Sequence, residues 1–476
     1  MIGLDILLHC QRILSIEELK GYRSSIFVRN RPYPPTLPNR KAVLVLGLLF
    51  LGAFAAAQAQ EVPRPSLARQ YSQTTLPTIY NVKAGPVLFR VDASLRTEYD
   101  SNVTLGNGTT TPAEGDLIIN PEVGIDVLWT ITPLNTLHLH TTLGYTEYLN
   151  HPRLDSSSIL ISPDSILSFN AYIGDFKINL HEQFSYQENP TGEGAVGNVE
   201  KFERYQNDAG VNVLWDANDV ISTLGYDHSN FIPVGAVSSV GQGVDTSNLG
   251  YTTDELTSSV FFQIISNLGG GIEATASATS YSSEAAADAT RVGIGPFIQY
   301  QLSHFTKIVA SGGYQGTFFT NGGGRFSTVE NGAEVSSGNS GQGNSYYASV
   351  TITNRLNRFI TDQLSFGHED EVGILSAETK TTYAQLISTV QVAPQVAITG
   401  NLSYADTDDS GAFSPLLGST TATQYQLFSF TLSTGYVITR KLTASLQYQF
   451  IRRISGGSGS QNYTDNGIAL ILDYQF

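Results

Sequence analysis

From Val87 to Phe476 the chain repeats one pattern, short stretches in which apolar and polar residues alternate one by one. Successive side chains of a β-strand point to opposite faces, so this period marks a strand with one apolar and one polar face. Phe89, Val91, Ala93, Leu95, Thr97 and Tyr99 alternate with Arg90, Asp92, Ser94, Arg96 and Glu98. Pro121, Val123, Ile125, Val127, Trp129 and Ile131 share a face, as do Leu137, Leu139, Thr141, Leu143 and Tyr145. Later sets are Val292 to Leu302, Phe428 to Ile438 and Ile468 to Phe476, each taken at every second residue. No helix-period segment of useful length interrupts them, so the fold class is all-β.

The connections alternate in length. Short ones fall near 132–136, 174–175, 216–219, 266–267, 303–306, 357–358, 393–395 and 439–440. Long ones fall near 100–116, 149–158, 188–203, 229–250, 282–290, 320–344, 373–377, 406–422 and 454–462. Eight short and nine long connections separate 18 strands. Short turns on one side, longer loops on the other and an even strand number describe a transmembrane antiparallel up-and-down β-barrel with both ends in the periplasm. A miscount by one hairpin leaves 16 or 20 strands.

Composition agrees. Charged residues are 14% of the chain, against about 25% in soluble domains. Mean hydropathy is only −0.07, because 45 Gly and many uncharged polar residues replace the charges. Such a mixture suits a wall that faces lipid on one side and water on the other. Of the 26 Lys/Arg and 42 Asp/Glu, seven and three lie in residues 1–59, which leaves 19 and 39 and a net charge of −20 beyond. That excludes a nucleic-acid partner, which needs clustered cations. The single cysteine, Cys10, lies upstream of the segment that follows, so no disulfide framework is expected.

Arg40 and Lys41 precede the apolar run 42–54, and Ala55, Ala56, Ala57, Gln58 and Ala59 follow it. A basic start, an apolar centre and an A-x-A site describe a signal peptide over 40–59, cleaved after Ala59, with a second option after Ala57. The run is too short for a helix that spans a membrane, which takes about 20 residues. Residues 1–39 read as an upstream extension from a misassigned start. Residues 60–86, with Pro63, Pro65, Pro77 and Pro86, read as a flexible periplasmic lead-in, and residues 87–476 as the barrel. The expected location is the cell outer membrane.

By parity, Arg90, Asp92, Arg96, Glu98, Glu122 and Asp126 face the lumen, where mixed charges on opposite walls would set up a transverse field, would pair and rigidify the barrel, or would do both. Trp129 and Trp215, the only two tryptophans, each precede a short turn in the related stretches Gly124–Trp129 and Gly210–Trp215. They are expected at the periplasmic interface, where an apolar ring with a polar tip is favoured. Tyr99, Tyr145 and Tyr226, with Tyr186, Tyr281 and Tyr448, are expected at the outer interface. Glu182 falls on the lipid-facing parity of its strand, which requires a bulge or a place nearer the outer interface. Ala274, Ala276 and Ala278 form a small-residue stripe on the lipid face.

No catalytic constellation stands out, so no enzyme and no cofactor is expected. His138 and His140, two apart on the lumen face, are read as wall residues, with a metal pair as the weaker alternative. The segment 406–411 partly resembles a calcium loop, but Leu417 stands where a bidentate acid belongs. Gly269–Gly271 and Gly322–Gly324 lack the strand–loop–helix context of a phosphate cradle. Tyr474 and Phe476, on the apolar face of the last strand, resemble the terminal aromatic signal read by the outer-membrane assembly machinery.

The step Glu98-Tyr99-Asp100-Ser101-Asn102-Val103 resembles a motif near the first strand of the β-barrel porin 2 family, with Ser101 in place of a second acidic residue. The resemblance implies an outer-membrane porin. Some members of that family are associated with exopolysaccharide secretion, which gives a second reading as an export-associated or surface-anchoring barrel. The expected function is a channel for small solutes, with outer-membrane lipid, the assembly machinery and small solutes or polysaccharide as partners.

Overall fold

The computed structural model describes residues 80–476, apart from 109–110, 191–198, 239–242, 245, 247–248, 283–287, 321–325, 331–332, 338–341, 372, 375–378, 410–412, 415–418, 421–422 and 456–461. The expected extension, signal peptide and most of the lead-in lie outside the described residues.

Eighteen long strands follow one another: β1 Val87–Asp100, β2 Asp116–Thr132, β3 Asn135–Gly144, β4 Ile166–Ile173, β5 Phe176–Gln187 and β6 Val199–Asp216. Next come β7 Val220–Ser238, β8 Tyr251–Ile265, β9 Leu268–Tyr281, β10 Asp288–Gln301, β11 Thr306–Thr320 and β12 Gln342–Asn357. The last six are β13 Ile360–Glu371, β14 Thr379–Ala393, β15 Val396–Asp409, β16 Thr423–Val437, β17 Leu442–Ser455 and β18 Tyr463–Gln475. Each pairs antiparallel with its neighbour in sequence, and β18 pairs with β1 from Asp92↔Gln475 to Asp100↔Gly467. The sheet is therefore a closed 18-stranded barrel, as the alternation and loop asymmetry predict. All eight short turns fall where expected, and nine longer connections alternate with them. In the β4–β5 turn Gly174 has φ +60, a conformation that L side chains rarely adopt.

Two connections are shorter than the sequence suggests. β6 and β7 are 18 and 19 residues long, whereas a tilted strand crosses a bilayer in about 9–11. Residues 199–203 and 229–238, expected in loops, prolong the strands outward. Pro233 and Gly235 read as breakers there, but the strand pairing continues through them, with two irregularities near Pro233 and Ser238.

The two faces sort as the period requires. Val91, Leu95, Val123, Leu180, Leu224, Ile272, Ile294, Leu446, Leu470 and Leu472 are exposed on the outside. In water such a surface would cost roughly 25 cal/mol per Å2, so its natural surroundings are lipid. No buried core fills the middle of the barrel in the usual sense. The buried apolar clusters are small and sit mostly near the outer rim, such as Val103, Ile118 and Leu154, or Leu427, Ile451 and Tyr463.

Glu182 is on the outer face, opposite Ala209, in an unbroken register, so no bulge turns it away. Its cost is offset by a partner, because the Asn207 side-chain amide donates to its carboxylate. Asn207 in turn accepts from Asn230 at 3.3 Å.

At the seam, the Phe476 amide donates to the Val91 carbonyl at 3.1 Å, and its ring meets Tyr474 edge-on at 5.2 Å. Below that level the edge of β1 is covered by residues 82–84, which pair with 87–89. Deleting Phe476 removes the backbone bond, worth about 1 kcal/mol net, and the ring that extends the apolar face. The truncated barrel should lose its folded, faster-migrating form on unheated gels at a lower temperature than the intact one. An unchanged transition would mean that the last residue carries no part of the seam.

Candidate functional site: the lumen and its outer constriction

The six charges that parity assigns to the lumen lie on the adjacent strands β1 and β2, on the face opposite the exposed Val91, Leu95 and Val123, hence on one wall. Arg90 pairs with Asp92 at 3.0 Å and Arg96 with Glu98 at 2.7 Å, each along its own strand. Arg96 also donates to Gln447 across the seam at 3.2 Å. The register sets Asp126 opposite both Arg90 and His140, and Glu122 opposite Ser94. This wall is a ladder of neighbouring ion pairs.

Asp126 is the centre of that wall. Its two oxygens meet His138 Nε2 at 3.2 Å and His140 Nδ1 at 3.3 Å, and the Tyr80 hydroxyl also bonds to it. His140 Nε2 continues to Asp164 at 3.2 Å. The two imidazoles thus splay around one carboxylate, which suits ion pairs in the wall better than a shared metal. Tyr80 lies just before the short pairing segment 82–84, so the chain at residue 80 is already at the inner face.

The opposite arc is built differently. From β7 to β16 its inner face carries cross-strand hydroxyl pairs: Thr223–Ser259 at 2.6 Å, Thr253–Thr279 at 2.9 Å and Ser311–Ser349 at 2.9 Å. Thr351–Ser365 at 3.2 Å, Thr381–Thr407 at 3.2 Å and Ser403–Ser429 at 2.6 Å extend the series. Each hydroxyl has both donor and acceptor capacity, so such a wall satisfies itself and still meets water or a polar solute.

Toward the outer mouth the lumen face turns aromatic. Phe202 stacks on Phe231 at 6.0 Å, Phe231 on Tyr251 at 5.0 Å and Tyr251 against Tyr281 at 5.7 Å, a row across β6 to β9. Ile374, from the connection after β13, packs onto this row and is fully buried with Phe202. The Tyr281 hydroxyl donates to the Gly373 carbonyl at 3.0 Å, and Arg291 pairs with Asp370 at 3.3 Å. The end of β13, Gly373 and Ile374 therefore reach into the lumen and narrow it on the β9–β11 side. Two of the long connections, 229–250 and 320–344, are long enough to fold inward as a constriction. Of the first, 229–238 belongs to β7, while Leu249 joins the aromatic cluster. Residues 326–330 and 333–337 of the second pair as a hairpin.

On the other side of the mouth, the motif after β1 is fixed to the wall. The Asp100 carboxylate accepts from the Asn102 amide at 2.7 Å. Asn102, 1% exposed, donates to the carbonyls of Gly106 at 2.9 Å and Thr464 at 3.0 Å and accepts from the Gly106 amide at 2.8 Å. The Ser101 backbone amide donates to the Asn466 carbonyl at 2.9 Å, the Asn466 amide donates to the Ser101 hydroxyl at 2.8 Å, and that hydroxyl donates to Asp465 at 3.2 Å. Asn102 thus ties the loop 101–115 to β18, across the seam. Leu105 of that loop packs on Leu427, Ile451 and Tyr463.

The interface aromatics are exposed on the outer face: Trp129, Trp215, Tyr99, Tyr145 and Tyr226. Trp129 and Trp215 stand at the turn ends of β2 and β6, and Trp215 stacks with Phe176 at 6.3 Å. Tyr99 and Tyr145 stand at the loop ends of β1 and β3. Tyr226 is a correction. Register puts Trp215 opposite Ser222, so Tyr226 is only four residues above the tryptophan level. It lies mid-wall, because β7 runs on to Ser238, and its hydroxyl donates to Asp254 at 2.7 Å beside His228. Tyr186 is likewise no interface residue but is buried, hydrogen-bonded to Ser157 of the loop above it at 3.0 Å.

No family model matches the chain, and no curated protein matches it in sequence. Among solved structures it is similar to the outer membrane protein OpdK of Pseudomonas aeruginosa, with 9% identity, a TM-score of 0.38, and 82% of this chain and 98% of that one covered. OccAB2 of Acinetobacter baumannii is similar at 11% identity and a TM-score of 0.41, with the same coverages. OccK3 of Pseudomonas aeruginosa stands at 10% and 0.40, with 82% and 95% covered.

Outside the membrane wall, His151 clamps two outer loops. Its Nδ1 lies 2.8 Å from Asp116 and its Nε2 2.7 Å from Glu114. Burial alone would pull its pKa down; the two carboxylates outweigh burial and hold it raised. A raised folded pKa means that the clamp is complete below the ordinary histidine range, near 6.5, and is lost as pH climbs through the elevated value. Amide exchange in residues 145–157 should therefore be slow at acidic pH and accelerate as pH rises, beyond the intrinsic base dependence. In His151→Gln that extra acceleration should vanish; if it persists, another group drives it.

Proposed function

We propose that this chain is a porin-type channel of the outer membrane that passes small polar solutes. The observation that carries this reading is the lumen itself: 18 strands enclose a bore wide enough for water, lined by hydroxyl pairs and paired charges. The outer constriction, formed by Ile374 on the Phe202–Tyr281 row and by the tied loop 101–115, would select by size and shape. Membership of the β-barrel porin 2 family rests on the motif around Asn102. An export-associated role with exopolysaccharide has no support from these residues.

The remaining parts of the reading are a signal peptide over 40–59, with 60–86 as the periplasmic lead-in, and Tyr474 and Phe476 as the signal for the assembly machinery. What supports the latter is the exposed aromatic pair on the last strand. On this reading, protein recovered from outer membranes begins near Gln60 by mass spectrometry. Residues 1–39 retained on the folded barrel would overturn both the start and the cleavage.

The net charge of −20 beyond residue 59 favours cations near the pore, within a Debye length of about 8 Å at physiological salt. In a planar bilayer under a salt gradient, the reversal potential should report potassium passing more readily than chloride, by a modest factor that shrinks as salt rises. A clear anion preference would mean that Arg90 and Arg96 dominate the narrowest point. The absence of any conductance would overturn the channel.

A further inference from the structure

We propose that the lumen wall holds one divalent transition-metal ion, bound by His181, Asp208 and Asp227. The three come from three consecutive strands. Register sets His181 opposite Gly210 and Gly210 opposite Asp227, so the two side chains flank a residue that has none. A Cβ added at 210 would collide with Asp227 Oδ1 and the His181 ring, so glycine is what lets them converge. Asp208, two residues further out on β6, leans over the same spot. His181 Nε2 lies 2.8 Å from Asp227 Oδ1 and 4.0 Å from Asp208 Oδ1. One ligand atom from each residue lies within 4.8 Å of the others.

The atoms around the cluster orient it for a cation. The Asn179 amide nitrogen donates to Asn170 Oδ1 at 3.0 Å, which leaves Asn179 Oδ1 facing His181 Nδ1 at 3.2 Å. Nδ1 must then carry a proton. In a neutral ring the other nitrogen has a lone pair, and here it points at two carboxylates. Only a second proton or a metal ion satisfies that arrangement. The Ser229 hydroxyl donates to Asp208 Oδ2 at 3.0 Å and so turns Oδ1 toward the ring. A histidine fixed through its far nitrogen and a carboxylate fixed by a hydroxyl are the outer partners that ordered metal ligands have. The ring is 8% exposed, and the carboxylates, at 36% and 23%, open to lumen water that would complete the coordination.

One nitrogen and two carboxylate oxygens suit zinc and its first-row neighbours better than magnesium or calcium, which take oxygen ligands. The ion would neutralise the two carboxylates of this wall. The site needs no open pore, so it stands or falls apart from the channel reading.

The test is equilibrium dialysis of the full-length folded barrel in detergent against micromolar zinc with excess magnesium, followed by elemental analysis. One zinc per barrel is expected. His181→Gln, Asp227→Asn and Gly210→Ala should each retain at least tenfold less at the same free zinc, while His138→Gln retains it. Zinc absorption spectroscopy on the unmodified barrel should show one imidazole among oxygen donors, which decides the matter even where a variant fails to fold. No bound zinc, retention equal in the variants, or a shell of two imidazoles would overturn the proposal.

Discussion

Every backbone N–H and C=O inside a bilayer has to find a partner within the protein, since lipid offers none. A sheet meets that demand only by closing, and here closure depends on the pairing of β1 with β18. Nine residue pairs, from Asp92↔Gln475 to Asp100↔Gly467, convert an open sheet with two unsatisfied edges into a wall with none. The features around the seam serve the same end. Arg96 reaches over it to Gln447, the Phe476 amide extends it by one bond, and Asn102 fastens the loop above it to Thr464. The motif that resembles a porin family is, in this structure, the outer fastening of the seam.

The architecture was legible because one physical rule, two faces in two solvents, repeats in every strand. Loop asymmetry added the strand count. What the alternation could not convey is where a strand stops. Around Asp227, His228, Ser229 and Asn230 the sequence turns polar and reads as loop, yet β7 continues to Ser238. The outward residues there find polar partners on neighbouring strands, His228 on Asp254 and Asn230 on Asn207. Those partners are distant in sequence, so Tyr226 was placed too high and Glu182 looked unaccompanied. Ile374 escaped notice for the same reason. A single apolar residue in a polar connection shows no period, and only the fold brings it onto the aromatic row.

The lumen divides into two chemistries. On β1 to β3 charged groups neutralise one another over short distances, whereas β7 to β16 present hydroxyls in pairs. Paired charges hold their side chains in place, and hydroxyl pairs rotate freely between donor and acceptor roles. The bore thus has one ordered and one adaptable wall, and toward its outer end the β6–β9 arc carries the aromatic row of Phe202, Phe231, Tyr251 and Tyr281.

The short pairing of residues 82–84 with 87–89 has a bearing on how the barrel is made. Because Phe476 is level with Val91, the lowest part of β1 has no partner in β18. The chain folds back on itself there and covers that edge with its own preceding residues. A newly made first strand would otherwise present bare donors and acceptors to any passing strand, including those of sibling chains still unfinished. With part of its edge already occupied from within, the first strand is partly guarded while seventeen others are added, and what stays open is the stretch reserved for the last of them.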